Sequence, residues 1–327
     1  MLIDVNRSAD GPSPIPVTLA VYRDLRVGMV VVMVMLAAAV VIEQLSASCW
    51  QLAISAYYYT SAHSIVIAAL VALGALFIMY KGSSDTEDTL LTLAGVSALV
   101  AALVPQGRPV PPCNPYVPLD YKVEAAVRPN VWAMVVALLV GWSLALWQSR
   151  RNRTQVTKSP GGTLALCLFW LVMVIGLAAF IFDYKLFYEY AHGAAGLLML
   201  SSFILTAFCT AYLAGREEGP NPYLLFYRSI AVVMVVTLIA VVAAHLAHRG
   251  WELWALVIET TLILEFAAYW VVQTIELWNT PDRSERLSDD DRNLLAKRPT
   301  AGGLTGFKSG LADARSEEPG HRLLPFL

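Results

Sequence analysis

The chain has 327 residues, a formal net charge of -2, 57% hydrophobic residues and only 15% charged ones. Soluble domains carry about a quarter charged residues, so the composition points to a polytopic membrane protein and argues against a basic nucleic-acid surface. No Walker loop, GxGxxG, CxxC or HExxH pattern occurs, which leaves phosphate-loop and thiol-redox chemistry without support.

In chain order, residues 1–26 read as a cytoplasmic N-terminal segment. Apolar runs long enough to cross a hydrocarbon layer of about 30 Å come next at 27–45, 64–80, 89–104, 131–147, 163–182, 191–213, 229–247 and 251–278. The predicted fold is all-α: a polytopic membrane helix bundle of about eight transmembrane helices over residues 27–278, then a tail from 279 to 327. The first run reads as a span, not a cleaved signal peptide, because its polar leader and its apolar stretch are both too long for one. Orientation is read from Lys and Arg, which cytoplasmic loops retain. Arg7, Arg23, Arg26, Lys81, Arg150, Arg151, Arg153, Lys158, Arg216 and Arg228 fall on one side, against Arg108, Lys122, Arg128, Lys185 and Arg249 on the other. Both termini are expected in the cytoplasm, and the protein is expected to be multi-pass in the plasma membrane with the lipid bilayer as its partner.

Between the first two runs, 54-ISAYYYTSAHSIVI-67 gathers Tyr57, Tyr58, Tyr59 and His63. Hydroxyls that donate and accept without bringing charge can line a pocket near the headgroups while their rings pack on apolar neighbours. Ser55 and Thr60 are placed to cap an interrupted helix there. Cys49 and Cys113 both fall on the outer side, where a disulfide persists. A Cys49–Cys113 bridge would tie the proline-rich loop 105–122 over the tyrosine segment, although sequence alone does not supply the geometry. Cys167 and Cys209 lie in helices towards the inner side and read as packing residues.

Four of the five histidines, His63, His192, His245 and His248, map to the outer boundary, with Glu43, Asp120, Asp183, Glu189 and Glu252 around them. Helix periodicity lets Glu189 point with His192, and His245 with His248. Glu259 and Glu265 sit inside the last run, where a charge costs at least about 2.5 to 3.5 kcal/mol, so both should avoid lipid. Glu259 aims at the histidine layer, and Glu265 suits a helix–helix hydrogen bond. Glu43 and Glu276, near helix ends, are expected to reach the interface. Three readings stay open. In the first, the tyrosines and histidines, with Trp50, Trp251 and Trp254, are interfacial anchors of a structural membrane protein. In the second, Tyr57, Tyr58, Tyr59, His63, His192 and Glu259 form an outward-facing polar pocket that binds or transports a small molecule or lipid headgroup. In the third, His192, His245, His248 and Glu259 supply the three or four ligands that zinc requires, giving a metal-dependent lipid or amide hydrolase.

The segment 53-AISAYYYT-60, the helix end Tyr80-Lys81-Gly82, the small residues Gly193-Ala194-Ala195 after His192 and 258-IETTLILEFAAYWVVQ-273 resemble a group of uncharacterised bacterial polytopic membrane proteins with an SxSxYYYT-like segment. The likeness covers most of residues 50–278. It implies a bacterial inner-membrane protein in which Tyr57, Tyr58, Tyr59, His192 and Glu259 belong together, and it carries no known activity. A more distant similarity is to intramembrane zinc hydrolases of the alkaline ceramidase type, which use a small set of His, Asp and Ser residues within a seven-helix bundle. Their HxxxH spacing is missing, since two residues separate His245 from His248. That similarity implies a zinc-activated water with Glu259 or Asp183 as base.

The tail is rich in Asp, Arg, Ser and Gly with little apolar periodicity, so it is expected to be mostly disordered. A short helix at 287–297, capped by Ser288 with acids in its first turn, is the exception.

Overall fold

The computed structural model describes residues 17–107, 123–151, 157–248, 250–299 and 303–327. Most of the proline-rich loop, including Arg108, Cys113, Asp120 and Lys122, lies outside the described residues, as do Arg7, Arg153 and Arg249. The helices are α1 (Val17–Ser46), α2 (His63–Met79), α3 (Asp85–Leu103), α4 (Val123–Arg151), α5 (Pro160–Phe182), α6 (Tyr184–Ala214), α7 (Leu224–Ala247), α8 (Trp254–Glu276), α9 (Asp289–Ala296) and α10 (Gly303–Ser316). Short 3-10 turns occupy Ser55–Tyr59 and Arg283–Arg286. Each expected span has its helix, as α1 to α8. Seven of these are long and apolar enough to cross a bilayer, and α2 is apolar but shorter at 17 residues. An all-helical bundle with several apolar spans is the architecture of an integral membrane protein, because a helix satisfies its own backbone where water is absent.

Successive spans run in opposite directions. Residues 80–84, 215–223 and the described residues after α8 therefore share one end of the bundle, the tail end, while 47–62, 104–107, 183, 248 and 250–253 share the other, the tyrosine end. α3 is the interior helix: 72% of its apolar window is buried, against 11% in α4 and in α5, whose bulky residues face outward as lipid-facing helices do. α3 is capped by Ser84, whose Oγ accepts from the Glu87 amide at 3.2 Å, while Glu87 Oε2 accepts from the Ser83 amide at 2.7 Å. α2 and α3 approach through two glycines. A Cβ on Gly74 would lie 2.8 Å from the Gly95 carbonyl, and one on Gly95 would lie 2.6 Å from the Gly74 carbonyl. Small residues permit such backbone contact between membrane helices. Below this contact, Phe77, Phe203, Phe266 and Trp270 join α2, α6 and α8, with Phe203 and Phe266 stacked at 3.8 Å.

Three expectations are corrected. α6 begins at Tyr184, with Asp183 Oδ1 accepting from the Leu186 amide at 3.1 Å, so His192 lies two turns inside the helix and does not open it. Cys167 is exposed on α5, whereas Cys209 is half-buried as a packing residue; both are free thiols. The tail is folded. Ser288 caps α9 as expected, accepting from the Asp291 amide at 3.1 Å. Beyond it, Leu287, Leu295, Leu324 and Leu327 pack on Leu213, and the carbonyls of Phe326 and Leu327 accept from Gly161 at 2.7 Å and Thr86 at 3.1 Å. Isolated leucines each seated on a preformed surface leave no periodic trace in the sequence.

Candidate functional site

At the tyrosine end, residues 50–62 fold back into the bundle. Tyr57, Tyr58 and Tyr59 are all buried. Tyr57 donates to Gln44 Oε1 of α1 at 2.7 Å, and Tyr59 donates to the Gln106 carbonyl at 2.6 Å. Tyr58 packs edge-on against His63, and its carbonyl accepts from His63 Nδ1 at 2.5 Å, which fixes that tautomer. Glu259 reaches from α8 to cap the turn: its Oε2 accepts from the amides of Ile54 at 2.8 Å and Ser55 at 3.4 Å. Ser55 Oγ donates to Gln106 Oε1 at 2.7 Å. Polar groups of this irregular backbone are thus satisfied by protein.

His192 joins the same layer from the far side, donating from Nδ1 to the Val104 carbonyl at 2.7 Å. Among the described residues, Glu259 and His192 are linked through residues 54–59 and 104–106 and not by a direct bond. His245 packs against Trp254 with ring centroids 4.5 Å apart, and His248 is the exposed cap of α7. Among the described residues no three His, Cys, Asp or Glu side chains converge as a metal site, so His192, His245, His248 and Glu259 do not come together as ligands. Cys49 is held in a disulfide. Glu265 makes the expected helix–helix contact, accepting from Thr237 of α7 at 2.7 Å.

The tail end holds a denser constellation that sequence reasoning passed over. Arg283 is fully buried and grips Glu276 with two bonds, Nη2 to Oε2 at 2.6 Å and Nη1 to Oε1 at 3.0 Å, while Nη1 also contacts Glu217. Tyr227 donates to Glu276 Oε2 at 2.5 Å beneath the guanidinium, whose carbon sits 4.8 Å above the Tyr227 ring. Asn221 donates to Glu276 at 2.8 Å and to Glu217 at 3.0 Å. Burial works against the Arg283 charge, but Glu276 more than offsets it and holds the arginine above its ordinary range. Burial also lifts the Glu217 carboxyl above the usual carboxylate range despite Arg283 beside it. Glu276 and Glu43, expected at the interface, are instead drawn inward, to 7% and 4% exposure. Arg26 is nearly as buried as Arg283 and donates to the carbonyls of Leu277 at 2.5 Å, Thr280 at 3.1 Å and Pro281. Two arginines thus stitch the segment after α8 into the bundle.

Beside this cluster opens a cleft of about 560 Å3, walled by the α6–α7 loop (Glu217, Glu218, Asn221, Tyr223) and by the tail (Glu285, Arg286, Asp289, Arg292). Five carboxylates, Glu217, Glu218, Glu276, Glu285 and Asp289, line it against Arg286 and Arg292. The signal that could have exposed it was a carboxylate closing the last apolar run, with arginines seven and ten residues on. Comparison with protein-family models, curated proteins and solved structures finds no match to this chain.

Proposed function

We propose that this membrane protein binds a small polar solute and passes it across the bilayer, with the tail-end cleft as its open mouth and the tyrosine end as its closed one. The observation that carries this reading is the asymmetry of the two ends. A cleft of about 560 Å3 opens at one, a size in the ordinary range for small-molecule sites. At the other, the tyrosine segment is hydrogen-bonded to α1, α8 and the segment after α3. The excess of carboxylates in the cleft favours a cation over an anion through simple electrostatic complementarity. Lys81, Arg150, Arg151, Lys158, Arg216 and Arg228 lie at the tail end, which supports placing the cleft and both termini in the cytoplasm. The hydrolase reading draws no comparable support, because its ligand set does not assemble among the described residues.

A ligand-induced thermal shift on the detergent-purified chain tests this. Choline and putrescine are set against acetate, phosphate and sorbitol. A cation at about 100 times its dissociation constant should stabilise the protein by about 2.7 kcal/mol. The shift should vanish in the triple variant Glu218→Gln/Glu285→Gln/Asp289→Asn, which leaves the Arg283 cluster intact. Equal shifts from anions, or a shift untouched by the triple variant, would remove the cleft from the argument.

A further inference from the structure

The tyrosine segment occupies the place where the sequence pattern put a ligand. Tyr57 is wedged between α1, α2 and α8 against Leu36, Val66, Ala69 and Leu256. Two carboxylates from opposite sides reach the same segment. Glu259 accepts from the amides of Ile54 and Ser55 and from the Ser55 side chain. Glu43 is 4% exposed; one of its oxygens takes the Ser61 hydroxyl, and the other, Oε1, has no hydrogen-bond partner among the described residues. Among the described residues neither carboxylate has a basic partner. Buried acceptors are paired as a rule, and a carboxylate at membrane depth calls for a partner. Among the described residues, the groups hydrogen-bonded to these two acids are two amides and the Ser55 and Ser61 hydroxyls, all of them neutral.

We infer that residues 54–61 are a built-in occupant of an amine site, and that a small primary ammonium bearing an aromatic group competes with them for Glu43 and Glu259. The ammonium supplies N–H donors in place of the Ile54 and Ser55 amides and satisfies the free oxygen of Glu43. The ring takes the apolar wedge that Tyr57 fills, and the displaced segment opens the tyrosine end. This names the substrate class of the proposed transport reading and rests on that reading only for the passage of the amine after it has bound.

The test places a reporter under the segment. Ala56 is 1% exposed, so Ala56→Cys in a Cys167→Ser background should react slowly with a membrane-impermeant maleimide added at the tyrosine end. Benzylamine should accelerate labelling saturably, and neutral benzyl alcohol should not. Glu43→Gln/Glu259→Gln should abolish the acceleration. Glu259→Ala alone should label about 10- to 100-fold faster than the parent without any amine, since losing a buried acceptor raises the population of local opening. If Glu259→Ala does not fold, the amine response of the Glu259-intact reporter decides the matter by itself. Benzylamine without effect, benzyl alcohol with an equal effect, or acceleration that survives the double variant would each overturn the inference. The readout is confined to the tyrosine end, so a null result beside an intact cation shift in the cleft refutes this site and leaves the cleft standing.

Discussion

Replacing Arg283 by Met keeps most of the side-chain length and removes the charge. It strands Glu276 and Glu217, whose side chains are 1% and 6% exposed, without their principal cation. Breaking a buried pair from one side costs about 3 to 5 kcal/mol. Arg283 also anchors residues 281–287, since its amide donates to Ser83 Oγ at 3.1 Å as its guanidinium spans α8 and the α6–α7 loop. The cost should therefore appear as release of the tail. At about 1.4 kcal/mol per tenfold, the opening equilibrium shifts by two to three and a half powers of ten. Trypsin digestion under native conditions reads this, because Arg286, Arg292 and Lys297 become cleavable when the tail lifts. Arg292→Met is the control. Its salt bridge to Asp289 is surface-exposed, 47% and 93%, and such pairs contribute about 0 to 1 kcal/mol. Arg283→Met digested no faster than Arg292→Met, with the thermal midpoint unmoved, would refute the view that this arginine pins the tail.

The same geometry sets three further outcomes. Gly95→Val pushes a side chain into the α2 backbone, where even a Cβ would sit 2.6 Å from the Gly74 carbonyl, and should cost about 1 to 3 kcal/mol in a detergent melt; an unchanged midpoint would mean that α2 and α3 are not in this contact. Under denaturing, non-reducing conditions a maleimide-polyethylene glycol should add to the free thiols Cys167 and Cys209 and, after reduction, also to Cys49 and Cys113, because we propose that these two are paired; a disulfide-linked dimer on the gel would contradict that pairing. Because burial raises the Glu217 pKa, the folded state holds this proton more tightly than the unfolded chain does. Its contribution to stability is then fully present below the unfolded carboxylate value of about 4.3 and is lost as pH rises through the folded value. Glu217→Gln should flatten that decline in a series of melts across the acid range, and parallel curves for the two proteins would argue against it.

The sequence by itself determined the class and the succession of apolar helices, seven of them long enough to cross a bilayer and one shorter. An apolar run about as long as the hydrocarbon layer is thick has little choice but to be a helix. The cap at Ser288 and the Glu265 contact to Thr237 were legible for similar reasons, one resting on local backbone chemistry and the other on the cost of exposing an acid to lipid. Only the tertiary structure decided which polar groups consume one another. Arg26 meets Leu277 across 251 positions and Thr210 meets Glu87 across 123, and no periodicity within one helix reports the lateral order of helices around a bundle. That is why the burial of all three tyrosines was not legible in the sequence, and why the tail read as solvated when its few leucines and one arginine lock it down. Apolar length is a property of each segment alone; hydrogen-bond partnership belongs to the packed assembly.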